Sequence, residues 1–156
     1  MPTVPMSFMN PDNTGFATVT MVSSTIVSQF PSLISTASDG RWYWRGYVPD
    51  DYASTPSLIV VAAANATSGV HRLNVEVNVA KDGEDQDPTL TASTAQDITV
   101  PGTAYLQDRV TFTANIPTLE PGDIIFGSVH RIGSHANDTL AVPTLLVALL
   151  LGYTAA

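Results

Sequence analysis

The chain is predicted to be all-β: an antiparallel β-sandwich of jelly-roll type, with about eight strands and an extended N-terminal arm. Three observations predict it. Apolar and polar residues alternate in short runs from Trp42 to Tyr153, Gly, Pro and Asp turns separate the runs every ten to fifteen residues, and no segment carries a convincing helical period. At 156 residues the chain is one domain's worth, long enough to bury a sizeable core without covalent staples.

The elements follow in order. Residues 1–38 read as an N-terminal arm with candidate first strands, and residues 39–156 as the sandwich domain. Across the arm Asp12 is the only ionisable side chain, yet Val4, Met6, Phe8, Met9, Phe16 and Phe30 stand among Ser and Thr. A segment so apolar is expected to be covered. Either Phe16 to Phe30 adds one or two strands to the sandwich, or Met1 to Thr14 is an arm that reaches over a neighbouring subunit, with Pro2, Pro5 and Pro11 stiffening it and blocking helix. Met1-Pro-Thr-Val-Pro-Met lacks the basic region and apolar run of a secretory signal.

Past Asp39-Gly40, Trp42, Trp44 and Val48 fall on one face of a strand, and Arg41, Tyr43, Arg45 and Tyr47 on the other. Pro49-Asp50-Asp51 ends it as a turn. Ser57 to Ala64 is a fully apolar strand, closed by Asn65-Ala-Thr-Ser-Gly69. Leu73, Val75, Val77 and Val79 then alternate with Arg72, Asn74, Glu76 and Asn78, a buried face against a wet one. After the acidic loop Asp82 to Asp87, Thr89–Thr94 is β-prone, Ile98–Val100 a short strand, and Gln107–Ile116 alternates again. Leu119-Glu-Pro-Gly-Asp123 predicts a type II turn, with Pro121 fixing φ and Gly122 supplying a positive φ. Asp123–Ile132 and Thr144–Tyr153 are the last strands; the final apolar stretch is too short to span a bilayer as a helix.

Composition narrows function. With 6 basic residues against 14 acidic ones and a net charge of −8, the chain lacks the clustered cations that phosphate neutralisation needs, so neither nucleic acid nor an anionic membrane is an expected partner. The absence of cysteine removes disulfides, thiolate nucleophiles and Cys-ligated metals. Charged residues make up 13%, about half the usual share, which predicts a surface partly covered by a partner.

The reactive residues point away from catalysis, and no cofactor or metal is expected. His130 and His135 lie five apart around Gly133-Ser134, which breaks the strand alternation of a cupin-type metal site; with His71 they read as solvated loop or strand-edge residues. A cupin-like metalloenzyme around His130 is thereby the weakest reading. The acidic run Asp82, Glu84, Asp85, Asp87 does not match the calcium-loop spacing and reads as a solvated tip. No serine stands in a Gly-x-Ser-x-Gly elbow. Asn65-Ala-Thr67 and Asn137-Asp-Thr139 match the glycosylation sequon and read as turns. Of the aromatic cluster, alternation leaves Tyr43 and Tyr47 on the surface.

Trp44, Tyr47-Val-Pro-Asp-Asp-Tyr52, a strand ending in Ala64-Asn-Ala-Thr-Ser-Gly69, Leu119-Glu-Pro-Gly-Asp123, and Asn137-Asp-Thr-Leu140 before a closing apolar strand form a pattern. It resembles small jelly-roll virion proteins of tailed bacteriophages, among them head decoration (cement) proteins and fibre-associated modules. The likeness spans about residues 41–153 and rests on turn motifs. It implies a non-enzymatic homotrimer on the outer surface of the phage head, binding the major capsid protein and stabilising contacts between its subunits. Candidate partner-binding residues are Val4, Met6, Phe8, Met9, Phe16, Phe30, Tyr43 and Tyr47. The alternative is a fibre or receptor/carbohydrate-binding module using Tyr43, Tyr47 and loop acids.

Overall fold

The computed structural model describes residues 1–11, 17–21, 29–33, 39–81 and 89–156. Among these residues it is all-β, with no helix and twelve strands: β1 (Thr3–Pro5), β2 (Ser7–Pro11), β3 (Ala17–Met21), β4 (Gln29–Leu33), β5 (Asp39–Tyr47), β6 (Tyr52–Ala64), β7 (Val70–Ala80), β8 (Thr91–Ala92), β9 (Gln96–Thr99), β10 (Asp108–Phe112), β11 (Ile124–Ile132) and β12 (Thr144–Ala155). They pair antiparallel into two six-stranded sheets. One runs β10-β6-β12-β4-β3 with β1 also on β12; the other runs β2-β5-β11-β7-β8 with β9 also on β7. The predicted sandwich is the observed architecture. The count exceeds eight because β1 to β4 also join the sheets.

Alternation fixes which face each strand buries. Trp42 and Trp44 of β5, Leu73, Val75 and Val77 of β7, and Ile125 and Val129 of β11 meet Leu58, Val60 and Ala62 of β6 and Leu146, Leu149 and Leu151 of β12 in one core. At about 25 cal/mol per Å² of apolar area, such side chains contribute roughly 1.5–3 kcal/mol each. β12 needs a bulge to do this. Between Leu146 and Ala148 its register on β6 shifts, so inward positions change from even to odd residues and Leu146, Leu149, Leu151 and Tyr153 all face the core. The predicted turn is present: Asp123 N–H donates to the Glu120 carbonyl at 3.1 Å, and Gly122 has a φ of +90°.

The first residues are woven into both sheets. β1 pairs with β12 and β2 with β5; Met6 between them is 6% exposed, and its N–H donates to Leu149 O at 2.8 Å. The Met6 sulfur occupies the space above Gly46, where an added Cβ would lie 1.9 Å away. Val4 and Phe8 pack against the core beside it. Met6 is thus taken up by the chain's own sandwich, while Val4 and Phe8 stay half-buried at its margin.

Two of the histidines correct the expectation of solvation. His71 is 1% and His130 7% exposed. His71 shares the inward phase of Leu73 and reaches across to β12, with Nδ1 3.1 Å from Thr144 Oγ1. His135 is exposed, as expected.

Gly127 of β11 is fixed by a close approach. A Cβ there would sit 1.8 Å from the Glu76 carbonyl oxygen, which is ladder backbone with no freedom to yield, and 3.0 Å from the Trp44 ring. Gly127→Ala is expected to destabilise by about 1–3 kcal/mol, the usual cost of overpacking. Urea unfolding of the variant beside the parent checks this.

Candidate functional site

The outer face of the β2-β5-β11-β7 sheet carries the outward aromatic stripe that alternation along β5 predicts. Register sets it out in rows. Arg41 lies beside His130 and Asn74, Tyr43 beside Ser128 and Glu76, Arg45 beside Phe126 and Asn78, and Tyr47 beside Ile124 and Ala80. At about 3.4 Å per residue, Tyr43 to Tyr47 spans about 14 Å of strand.

The two halves of this face differ. The first is polar and closed: Ser128, His130 and Asn74 are all buried. There Glu76 accepts from Ser128 Oγ at 2.7 Å and pairs with Arg41 at 3.4 Å, and Asp39 Oδ2 lies 3.7 Å from His130 Nε2. Asn74 points outward as its register requires, yet is not wet as expected. The second half is open. Arg45 and Tyr47 are exposed, while Tyr43, Ile124 and Phe126 are half-buried. Met9 of β2 is 58% exposed and borders it.

Two concavities lie on the open half. One of about 350 Å³ is lined by Met9, Tyr43, Arg45, Ile124 and Phe126. The other, about 590 Å³, is lined by Pro5, Ser7, Arg45, Tyr47, Pro49 and Ile124. Arg45 and Ile124 line both, so the hollows adjoin along β5. The Tyr47 hydroxyl donates to Asp50 Oδ1 at 3.2 Å, which fixes the ring's outer end and, by keeping the proton on, raises its pKa.

The residues expected to bind a partner therefore separate. Met9, Tyr43 and Tyr47 come together on the open face, and Val4, packed against the core on one side, lines the larger hollow with Tyr47; Met6 and Phe8 belong to the packing beneath. Phe30 lies on β4, and Phe16 falls outside the described residues, as does the acidic loop Asp82 to Asp87 weighed for calcium. Among the described residues no group of three or more His, Asp or Glu side chains is placed to hold a metal. Sequence reasoning missed Arg45, Ile124 and Phe126 as site residues. Alternation had already put Arg45 outward, but only the β5–β11 register sets Phe126 next to it.

No family model and no curated protein matches the chain. Solved structures do match it over nearly its whole length. A family 35 carbohydrate-binding module from Clostridium thermocellum is 14% identical, with 99% of this chain and 100% of that one covered and a TM-score of 0.48. A family 35 module from Cellvibrio japonicus Abf62 is 12% identical, covers 99% and 95%, and scores 0.47. A family 11 module from Clostridium thermocellum, in complex with a β-1,3-1,4-mixed-linked tetrasaccharide, is 12% identical, covers 97% and 98%, and scores 0.45. At these identities the likeness is one of fold, a β-sandwich of jelly-roll type. The expectation of a capsid decoration protein is corrected here: these three neighbours are carbohydrate-binding modules, and the likeness reaches no further than the fold.

Proposed function

We propose that the protein is a non-catalytic carbohydrate-binding module whose ligand lies along β5, over Tyr43, Arg45 and Tyr47. The observation that carries this reading is the open half-face itself: two outward tyrosines with Phe126 and Met9 around adjoining hollows, rimmed by Arg45 and backed by fixed polar side chains. A pyranose presents apolar C–H faces and a rim of hydroxyls. It is matched by aromatic surfaces that offer contact at low entropic cost and by a few placed hydrogen-bonding groups. A stripe about four residues long on a rigid strand suits a chain-like ligand rather than a compact one.

The acids of this face support binding over turnover. Hydrolysis of a glycoside needs two carboxyl groups flanking one bond, one of them free to give a proton. Glu76 is engaged by Arg41 and Ser128, and Asp39 sits two rows away beside His130.

A panel of immobilised polysaccharides and oligosaccharides tests the reading. Selective binding to at least one glycan is expected, with no release of reducing sugar. Tyr43→Ala should weaken it at least tenfold, about 1.4 kcal/mol, while its unfolding midpoint shows it folded at the assay temperature, since the ring lies outside the core cluster. A blank panel, or a Tyr43→Ala variant that binds as the parent does, would defeat the proposal.

A further inference from the structure

We infer that a second copy of this chain stacks on the outer face of the β10-β6-β12 sheet and forms a two-fold dimer; this goes beyond the saccharide reading and does not depend on it. The first observation is the pattern of the two central strands. β6 holds Leu58-Ile-Val-Val-Ala-Ala-Ala64 and β12 holds Leu145-Leu-Val-Ala-Leu-Leu-Leu151, without the alternation of a strand that is wet on one side. Unbroken apolar runs belong to strands covered on both faces. The sandwich core covers one face, through Leu58, Val60 and Ala62 of β6 and Leu146, Leu149 and Leu151 of β12. On the other face, register sets Thr111, Ile59, Leu150 and Pro5 side by side, with Val61 and Ala148 in the next row. Thr111 and Pro5 are exposed, and Ile59, Leu150 and Ala148 are half-buried, so this apolar surface is open to a partner.

The second observation is charge, and it selects the occupant. Along β1, β6, β10 and β12 the charged residues are Asp108 and Arg109 alone, whereas β5, β7, β9 and β11 carry charges from Asp39 to Arg131. Asp108 shares the inward phase of Val110 and Phe112, so the outer face presents no acid from these strands. Two copies at a net charge of −8 repel each other through their acidic surfaces. Face-to-face contact through this sheet keeps those surfaces apart, and the exposed, outward Arg109 offers each negatively charged copy a cation. A two-fold contact needs one self-complementary surface. A flat face of Thr, Ile, Leu, Ala and Pro is such a surface, and sheets of this kind stack about 10 Å apart. The Tyr43–Tyr47 faces then lie on opposite sides of the dimer, both open.

Sedimentation velocity of the chain alone, from about 1 μM to about 500 μM at physiological salt, tests this with no glycan present, so its failure leaves the saccharide reading untouched. A monomer–dimer equilibrium within that range is expected. Thr111→Glu and Leu150→Gln, each shown by its unfolding midpoint to be folded, should raise the dissociation constant at least tenfold. Thr99→Glu adds the same charge at an exposed position of β9, in the other sheet, and should leave association as in the parent. The inference is overturned by a monomer at every concentration, by a trimer in place of the dimer, or by a dimer that both face variants leave intact. It is overturned as well if Thr99→Glu weakens association as much as Thr111→Glu does, since charge alone would then explain the loss.

Discussion

Arg131→Met is expected to lower the stability of the folded chain by about 3–5 kcal/mol, the cost of removing one partner from a buried ion pair. Arg131 has 0% exposed side chain and Asp138 1%, and the pair is bidentate: Nε donates to Oδ2 at 2.9 Å and an Nη to Oδ1 at 2.6 Å. The same guanidinium donates to the carbonyls of Val142 at 2.8 Å, of Leu33 at 3.3 Å and of Leu140. Asp138 Oδ2 also accepts the Arg72 backbone N–H at 3.0 Å. One side chain therefore ties the end of β11 to the connection leading into β12, to β4 and, through Asp138, to β7. Removing it leaves the buried carboxylate with the Arg72 N–H but no counter-charge, and takes a donor from three carbonyls. For a domain of this size the loss corresponds to a fall in Tm of about 10–15 °C. Arg131→Met combined with Asp138→Leu should recover part of that loss, because the unpaired charge goes, but not all of it, because the carbonyls stay unmet. Urea denaturation of the single and double variants reads both outcomes. A single variant as stable as the parent would show the clamp to be idle.

The second large effect is a dependence of stability on pH seated at His71. Burial, with the Arg131 charge adding to it, lowers its pKa from the ordinary 6.5 to about 4, against opposing pulls from Asp138 and Asp108. The unfolded chain therefore takes up this proton near pH 6.5 and the folded chain only near pH 4. Between those values the unfolded state holds more protons, so stability falls as pH falls; the contribution is complete above pH 6.5 and lost by about pH 4. At about 1.4 kcal/mol for each tenfold difference in proton affinity, His71 removes about 3 kcal/mol over that window. Unfolding midpoints at pH 7.5 and pH 4.5 should differ strongly in the parent. They should differ much less in His71→Leu, which also loses the contact to Thr144 at every pH. Equal pH dependence in both proteins would mean that His71 keeps its ordinary proton affinity when folded.

Much of the fold was legible because one face of each sheet is dry. Where polar and apolar residues alternate cleanly, as from Arg72 to Val79 and from Arg41 to Val48, the period alone assigns both strand and face. Glu120 to Asp123 was equally readable, since Pro and Gly at its centre admit one turn type. β12 was harder. Its run from Leu145 to Leu151 is apolar throughout, so nothing in the sequence marks Val147 as the extra residue of a bulge. The Arg131–Asp138 clamp was hidden for a different reason: Asn137-Asp-Thr139 reads as a polar turn, and only the return of that turn over β11 buries the carboxylate. Of the site, Tyr43, Tyr47 and Met9 were visible as surface candidates. Their assembly with Phe126 and Ile124 depends on strand pairing between residues some eighty positions apart, which local pattern does not encode. Turn motifs such as Leu119-Glu-Pro-Gly-Asp123 mark sandwich geometry, and geometry of that kind does not specify a partner.

The account stands most directly on where a glycan touches the protein. Amide chemical shifts recorded while an oligosaccharide from the panel is titrated in are predicted to move along Tyr43–Tyr47 and Ile124–Ser128, while the outward residues of β6, β10 and β12 stay still. Shifts confined to the β6-β12 sheet or to the loops at residues 65–69 and 101–107, with β5 silent, would contradict it.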